Sequence, residues 1–326
     1  MSAFSVYHQD QVRALLDYPG CIEAMRRTMA DFSREGCDQP LRTIIPVGSD
    51  EKLFALMPGI ASSEVGFGAK IISVFEDAET PGRSSHEGVV SLFDSENGAL
   101  LSIADAHEVT KIRTACASAV ATDVLSRPDS RVLTVFGTGT QAESHIKALS
   151  LVRPFERVLV WGRSRKTGEA FVSRMCEETG LPVYFTADPA EAAGQADVIC
   201  TVTNSATPVL FHAWVKPGTH INAVGSSFDG PVEVDNALVV ESRYIVDSRR
   251  SALVAASEFL AARKAGLIDE SHIVAEIGEV ILNKKTGREN PNQITFYKSL
   301  GHIVQDLAAV AYIHARTGGS EGGIIK

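Results

Sequence analysis

A short apolar run, Arg131–Phe136, leads directly into Gly137-Thr138-Gly139-Thr140-Gln141-Ala142 and then into a helical stretch reaching about Leu151. This pattern constrains the chain more than any other feature, because it needs a strand before it and a helix behind it. The first glycine permits a tight turn, and the second lets backbone approach a diphosphate. The third position takes only a small side chain, here Ala142, for close helix–strand packing. The helix N-terminus adds free N–H donors and a partial positive charge. Glycine spacing alone also suits an empty structural turn; the strand–turn–helix setting favours a dinucleotide.

The surrounding sequence supports that setting. Strands at Arg157–Trp161, Val183–Phe185, Val198–Val202, His220–Val224 and Tyr244–Val246 alternate with helical segments such as Thr167–Thr179. Such alternation predicts α/β architecture, a doubly wound parallel sheet of the Rossmann kind. The opening third reads differently. Ile22, Met25, Met29 and Phe32 recur at helical spacing. Short β-type runs follow at Thr43–Val47, Leu53–Met57, Ala69–Phe75, Gly88–Asp94 and Ala99–Asp105. Asn97-Gly98 lies between the last two as a hairpin turn. These runs predict a largely antiparallel, α+β domain. An alanine-rich helix is expected over about Thr114–Leu125. The last helix, with Leu300, Ile303, Val304, Leu307, Ala308 and Ala311 on one face, suits a return to the first domain. The expected division is therefore discontinuous: residues 1–114 completed by 301–326, and a nucleotide-binding domain over 115–300. The Gly-rich stretch Gly318–Gly323 is expected to fray.

Composition narrows the function classes. The 326 residues suit two domains at roughly 150 residues each, and 44% of them are hydrophobic, enough for sizeable cores. A formal charge of −9 provides no global basic field for nucleic acid or an anionic membrane. No apolar run approaches a membrane span, and Met1–Ala30 lacks a signal-peptide pattern. Five scattered cysteines without CxxC spacing read as reduced thiols in a cytoplasmic protein. No HExxH, paired Cys/His or DxDxDG pattern points to a metal, and no GxSxG elbow to a nucleophile.

The end of the second Rossmann strand selects among nicotinamide cofactors. A site for the unphosphorylated cofactor places a carboxylate there to bond the ribose 2′-hydroxyl. This chain has Trp161-Gly162-Arg163-Ser164-Arg165-Lys166, with no carboxylate but several cations and a hydroxyl. A guanidinium can grip a 2′-phosphate dianion with paired, charge-assisted bonds. The loop thus favours NADPH (NADP), with NADH at lower affinity; a solvated basic loop is the plain alternative.

Three cations stand out in the first domain: Arg42 before a strand, Lys70 within the strand Ala69–Phe75, and Arg113 at the opening of the alanine-rich helix. Lys70 shares a strand face with Ile72 and Val74, where a buried ammonium needs a partner. A substrate carboxylate would serve. Each cation alone also fits a structural role, as a snorkelling lysine or an arginine paired to a carboxylate elsewhere. His86-Glu87 is a weaker proton-relay candidate, and His145 reads as structural.

Several ordered segments resemble the ornithine cyclodeaminase/mu-crystallin family. They are Leu56-Met57-Pro58, Gly68-Ala69-Lys70, Lys111-Ile112-Arg113-Thr114-Ala115 and the glycine loop through Gln141-Ala142-Glu143-Ser144-His145. Val202-Thr203, Trp214-Val215-Lys216-Pro217-Gly218, His220-Ile221-Asn222-Ala223-Val224-Gly225 and Phe296-Tyr297-Lys298-Ser299-Leu300-Gly301 continue the series. The resemblance implies a homodimer, with the interface on the first domain, and a small imino or amino acid bound between the two domains. It implies that Arg42, Lys70 and Arg113 hold the substrate α-carboxylate. Gly137, Gly139, Thr140, Gln141, Arg163, Ser164, Arg165, Thr203 and Val224 are the positions expected at the cofactor.

One departure bears on the reaction. Cyclodeaminases and archaeal alanine dehydrogenases of that family follow the His-Ile-Asn-Ala segment with Gly-Ala-Asp, whose aspartate works on the substrate amine. Here Gly225-Ser226-Ser227-Phe228 places Ser227 there, with Asp229 two positions on. Mu-crystallin and the ketimine reductases also have serine in this segment. A preformed cyclic imine needs a proton on nitrogen and a hydride on carbon, but no base to deprotonate an amine. The expectation is therefore NADPH-dependent reduction of cyclic ketimine carboxylates, with Lys70 as the candidate proton donor. Ornithine cyclodeaminase, an open-chain amino-acid dehydrogenase and an NADPH-dependent ligand-binding protein remain as alternatives.

Overall fold

The computed structural model describes residues 4–34, 37–48, 52–75, 86–228, 230–318 and 323–325, with backbone alone for residues 86 and 323–325. The strands, in chain order, are β1 (Phe4–Tyr7), β2 (Thr43–Pro46), β3 (Lys52–Ile60), β4 (Phe67–Phe75), β5 (His86–Phe93), β6 (Leu100–Asp105), β7 (Val132–Phe136), β8 (Arg157–Trp161), β9 (Val183–Thr186), β10 (Val198–Thr201), β11 (His220–Ala223), β12 (Arg243–Val246), β13 (Ile273–Glu276), β14 (Thr295–Lys298) and β15 (Gly323–Ile325). The helices are α1 (Gln9–Leu15), α2 (Tyr18–Phe32), α3 (Ala106–Leu125), α4 (Thr140–Leu149), α5 (Arg165–Thr179), α6 (Pro189–Gln195), α7 (Asn236–Val240), α8 (Arg249–Ala255), α9 (Ser257–Lys264), α10 (Ile277–Ile281) and α11 (Ile303–Thr317). They form two compact units, Met1–Arg113 with His302–Lys326, and Thr114–Gly301.

The first unit is built on a seven-stranded sheet of order β15-β1-β6-β5-β4-β3-β2. All its pairings are antiparallel except β1 with β6. The expected hairpin joins β5 to β6. There the Asp94 carboxylate accepts from the N–H groups of Glu96 and Asn97, and Gly98 takes a φ of 71°. In register, Lys70 lies between Met57 on β3 and Val90 on β5, all three buried on one face. Helix α11 covers that face. It buries Ile303, Val304, Leu307 and Val310, each worth roughly 1.5–3 kcal/mol in transfer free energy. Helix α2 packs beside it through Met25 and Met29, and the Tyr312 hydroxyl of α11 donates to Asp17, the α2 N-cap, at 2.7 Å. Of the stretch Gly318–Gly323 expected to fray, residues 319–322 lie outside the described residues; Gly318 caps α11, and β15 pairs with β1.

One expected boundary needs correction. Helix α3 starts at Ala106, not near Thr114, so Arg113 lies two turns inside it rather than at its opening. The Asp105 carboxylate accepts from the Glu108 N–H at 2.8 Å and starts the helix directly from β6. The first turns carry His107, Glu108 and Lys111, so the alanine-rich pattern appears only later.

The second unit is an eight-stranded parallel sheet of order β13-β12-β14-β11-β10-β7-β8-β9. Strand order reverses around β7, and the carboxyl ends of strands at such a switch point form the crevice where open α/β sheets bind ligands. Strands β13 and β14 were absent from the expected set, and β14, last in sequence, inserts between β11 and β12. Its Phe296 stacks on Tyr244 of β12 within a core that includes Ile199, Ile221 and Phe259.

Candidate active site

The glycine loop of the second unit has the geometry its sequence demands. Gly137, at the end of β7, holds a φ of 130°, and its N–H donates to the Trp161 carbonyl at 2.9 Å. A Cβ there would lie 2.9 Å from the Val202 carbonyl oxygen. Gly139 is the N-cap of α4, and a Cβ on it would meet nothing within 4 Å. That open approach to a helix N-terminus, opening with Thr140 and Gln141, fits a dinucleotide diphosphate. Ala142 is wholly buried, as the third position requires.

At the end of β8, Ser164 caps α5, accepting from the Thr167 N–H at 3.3 Å. Arg165 pairs with Glu169 at 3.1 Å and lies over the Phe185 ring, so its charge is partly committed. Arg163 is exposed and has no ion pair among the described residues.

Two of the first unit's cations converge on one carboxylate. Asp306 on α11 lies 3.1 Å from Lys70 Nζ and accepts from Arg113 Nε at 3.0 Å. Arg113 Nη1 also donates to Gln305 Oε1 at 2.8 Å, and Lys70 Nζ lies 3.4 Å from the Thr110 hydroxyl. Lys70, Arg113 and Asp306 are all buried. The trio carries a net charge of +1, which favours an anion in a site where water screens little. Burial pushes the Lys70 ammonium down to about 8; Asp306 opposes that fall, while Arg113 and the half-buried Arg42 add to it. Burial alone would raise the Asp306 carboxyl, but Arg113 and Lys70 outweigh it and hold it below the usual range. The partner sought for Lys70 is thus supplied by the chain itself. Sequence reasoning missed Asp306, since nothing in its spacing ties α11 to β4.

His302, just ahead of α11, is a second group the sequence did not single out. Its ring is wholly buried against Phe32, and neither nitrogen has a hydrogen-bond partner among the described residues. Burial, helped by Arg113 and Arg42, pushes it down to about 3, so it is neutral.

In the second unit, Thr203 follows β10, and both its N–H and its hydroxyl donate to Glu233, at 2.6 and 2.7 Å. Val224 follows β11, with its N–H on the Thr201 carbonyl. Ser227 is half-buried on the next segment, and Asp229 lies outside the described residues. The neighbouring serine is the more engaged: the Ser226 hydroxyl meets Glu258 and lies 3.3 Å from Lys298 Nζ. Lys298 also pairs with Glu258 at 3.0 Å and donates to the Gly225 carbonyl at 2.9 Å. Glu233 is pushed up to about 6 by burial, against the opposing pull of Lys298 and Thr203. This polar cluster braces the loops at the carboxyl ends of β10 and β11.

The weaker candidates separate clearly. His145 Nδ1 donates to the Gln141 carbonyl and Nε2 accepts from Ser118, which makes it a buried structural histidine. The His86 side chain lies outside the described residues, and Glu87 is exposed. Among the described residues, no group of three His, Cys, Asp or Glu side chains could hold a metal ion, and no helix is long and apolar enough to cross a membrane.

Comparison with known proteins places this arrangement. The chain is 33% identical over 312 residues to the Δ1-pyrroline-2-carboxylate reductase of Bacillus cereus, covering 95% of this chain and 96% of that one. It is 36% identical over 296 residues to the ketimine reductase mu-crystallin of Mus musculus, covering 90% of each. The solved Δ1-pyrroline-2-carboxylate reductase of Thermococcus litoralis, in complex with NADH and L-proline, superposes with a TM-score of 0.92 at 29% identity. That match covers 96% of this chain and 97% of the other. The sequence profile of the ornithine cyclodeaminase/mu-crystallin family matches residues 5–321, and the chain belongs to that family.

Proposed function

We propose that this protein is an NADPH-dependent ketimine reductase that converts cyclic α-imino acids to the corresponding amino acids. Δ1-Pyrroline-2-carboxylate would give proline, and the six-membered analogue pipecolate. The observation that carries this reading is the buried Lys70–Asp306–Arg113 trio, a net cation built from β4, α11 and α3. Its natural guest is a small carboxylate. The Bacillus cereus, mouse and Thermococcus litoralis relatives, all named as reductases of such imines, support the same substrate class.

The bound dinucleotide supplies the hydride. Gly137, Gly139, Thr140 and Gln141 would hold its diphosphate, with Thr203 and Val224 on the loops where the nicotinamide belongs. Arg163, with Ser164 and Arg165, favours the 2′-phosphate of NADPH. NADH, the cofactor in the Thermococcus litoralis complex, is accepted at lower affinity. Arg42, Lys70 and Arg113 fix the substrate carboxylate, so that positioning supplies much of the rate enhancement. Lys70, still an ammonium at neutral pH, is the group available to donate a proton to the imine nitrogen. Ser227 stands where the family's cyclodeaminases carry the aspartate that works on the substrate amine, which favours imine reduction over cyclodeamination.

The protein is proposed to be a cytoplasmic homodimer. The apolar Ile44 and Ile45 of the sheet-edge strand β2, with Leu41 and Val47 flanking it, are exposed, an unusual concentration for a free surface. The five cysteines are free thiols, in keeping with a reducing compartment. The direct test is loss of NADPH absorbance on mixing purified protein with each cyclic imine. Turnover with NADPH above NADH supports the reading; an inert mixture refutes it.

A further inference from the structure

We propose that Asp306 is a positioning residue of the imino-acid site, whose carboxylate keeps Lys70 protonated and aimed before substrate arrives. The inference deepens the function proposed above and rests on its placing of Lys70 at the substrate.

The geometry is specific. Both Asp306 oxygens face Lys70 Nζ, at 3.2 and 3.1 Å, and one of them also accepts from Arg113 Nε. Arg113 is held from its other side by Gln305, the preceding residue of α11, so one helical turn fixes both cations. The remaining surroundings of Lys70 cannot keep its proton. Its cross-strand neighbours Met57 and Val90 are apolar. Helix α3 presents Arg113 and the Thr110 hydroxyl. The segment before β2 presents Arg42, and the approach to α11 presents the neutral His302. Among the described residues, Asp306 is therefore the sole anion in this set. Without it, a buried ammonium would face two guanidiniums and lose its proton. With it, a proton-bearing donor stands in place before substrate binds, which is the condition for electrostatic preorganisation. The trio's remaining positive charge is then neutralised by the substrate carboxylate, with no need for Lys70 to ionise or move.

The competing possibility is that Asp306 merely ties α11 to the sheet. Lysine labelled with 13C at Cε distinguishes the two, because its NMR shift reports the ammonium directly and without substrate. The Lys70 signal is identified by its disappearance in Lys70→Met. In the unaltered protein it should titrate near pH 8. In Asp306→Asn the midpoint should fall by about one pH unit or more, since an anion beside a base has been removed. Asp306→Glu should restore it towards the original value. Arg113→Gln should raise it, which keeps the test available if Asp306→Asn does not fold. A midpoint unmoved in Asp306→Asn, or unmoved in Arg113→Gln, overturns the proposal. Absence of imine turnover would leave the titration readable and would count against the function alone.

Discussion

Asp306 lies 3.1 Å from the Lys70 ammonium although 236 residues separate the two. The chain leaves its first unit along α3, builds the whole parallel sheet, and returns with α11 to place that one carboxylate under β4. The returning helix thus does more than close a core. It carries the counter-charge that lets two cations, Lys70 on β4 and Arg113 on α3, remain buried.

Arg113→Lys tests the carboxylate grip. Lysine keeps the charge but lacks the planar fork that bonds Asp306 through Nε and Gln305 through Nη1, so the side chain loses its fixed orientation. The KM for the imino acid should rise on the order of tenfold, with a smaller fall in kcat. Steady-state kinetics with saturating NADPH measure both, and an unchanged KM would remove Arg113 from the substrate.

Arg163→Glu tests cofactor choice. The substitution places a carboxylate where the 2′-phosphate is proposed to lie and offers a ribose hydroxyl an acceptor. Preference for NADPH over NADH should drop by about tenfold or more, and more sharply at low salt because the site is exposed. Equal losses for the two cofactors would contradict the assignment.

The second unit was the more legible one, and the reason is local. Gly137, Gly139 and Ala142 state their own requirements for a positive φ, an open approach and a small side chain. Arg163 follows its strand directly. Strand β14 was missed because its place between β11 and β12 is set by partners distant in sequence. The start of α3 was missed because polar residues fill its first turns, and the cue, Asp105, sits at the end of a strand. Lys70 and Arg113 were visible as cations that needed partners. Asp306 was not, since only tertiary packing brings α11 against β4.

Gly137→Ala should damage both fold and function. An alanine at a φ of 130° is strained, and its methyl would press on the Val202 carbonyl. A stability loss of about 2 kcal/mol is expected, together with loss of the rise in melting temperature on adding NADPH. Thermal unfolding with and without NADPH reads both. A variant still stabilised by NADPH to the same extent would contradict the role of this turn.

Acid should weaken the protein through three buried histidines. Burial pushes His145 down to about 4, and His220 and His302 down to about 3. As pH falls below 6.5 the unfolded chain binds these protons while the folded chain does not, so stability is lost from there towards 3–4. At about pH 5.5 each histidine costs about 1.4 kcal/mol, about 4 kcal/mol for the three. Glu233 acts in the opposite sense. Its raised value, about 6, lets the folded state bind a proton first and returns about 1 kcal/mol at that pH. Urea unfolding at about pH 7.5 and about pH 5.5 should therefore differ by roughly 3 kcal/mol. Equal stability at the two values would contradict the neutral, buried state of these rings.

Hydride delivery to the carbon of a carboxylate-anchored imine is tested most directly by isotope transfer. Reduction of Δ1-pyrroline-2-carboxylate with NADPH carrying deuterium at the transferable C4 position should give proline with one deuterium on the α-carbon. Proline without that label, or no proline at all, would contradict the account.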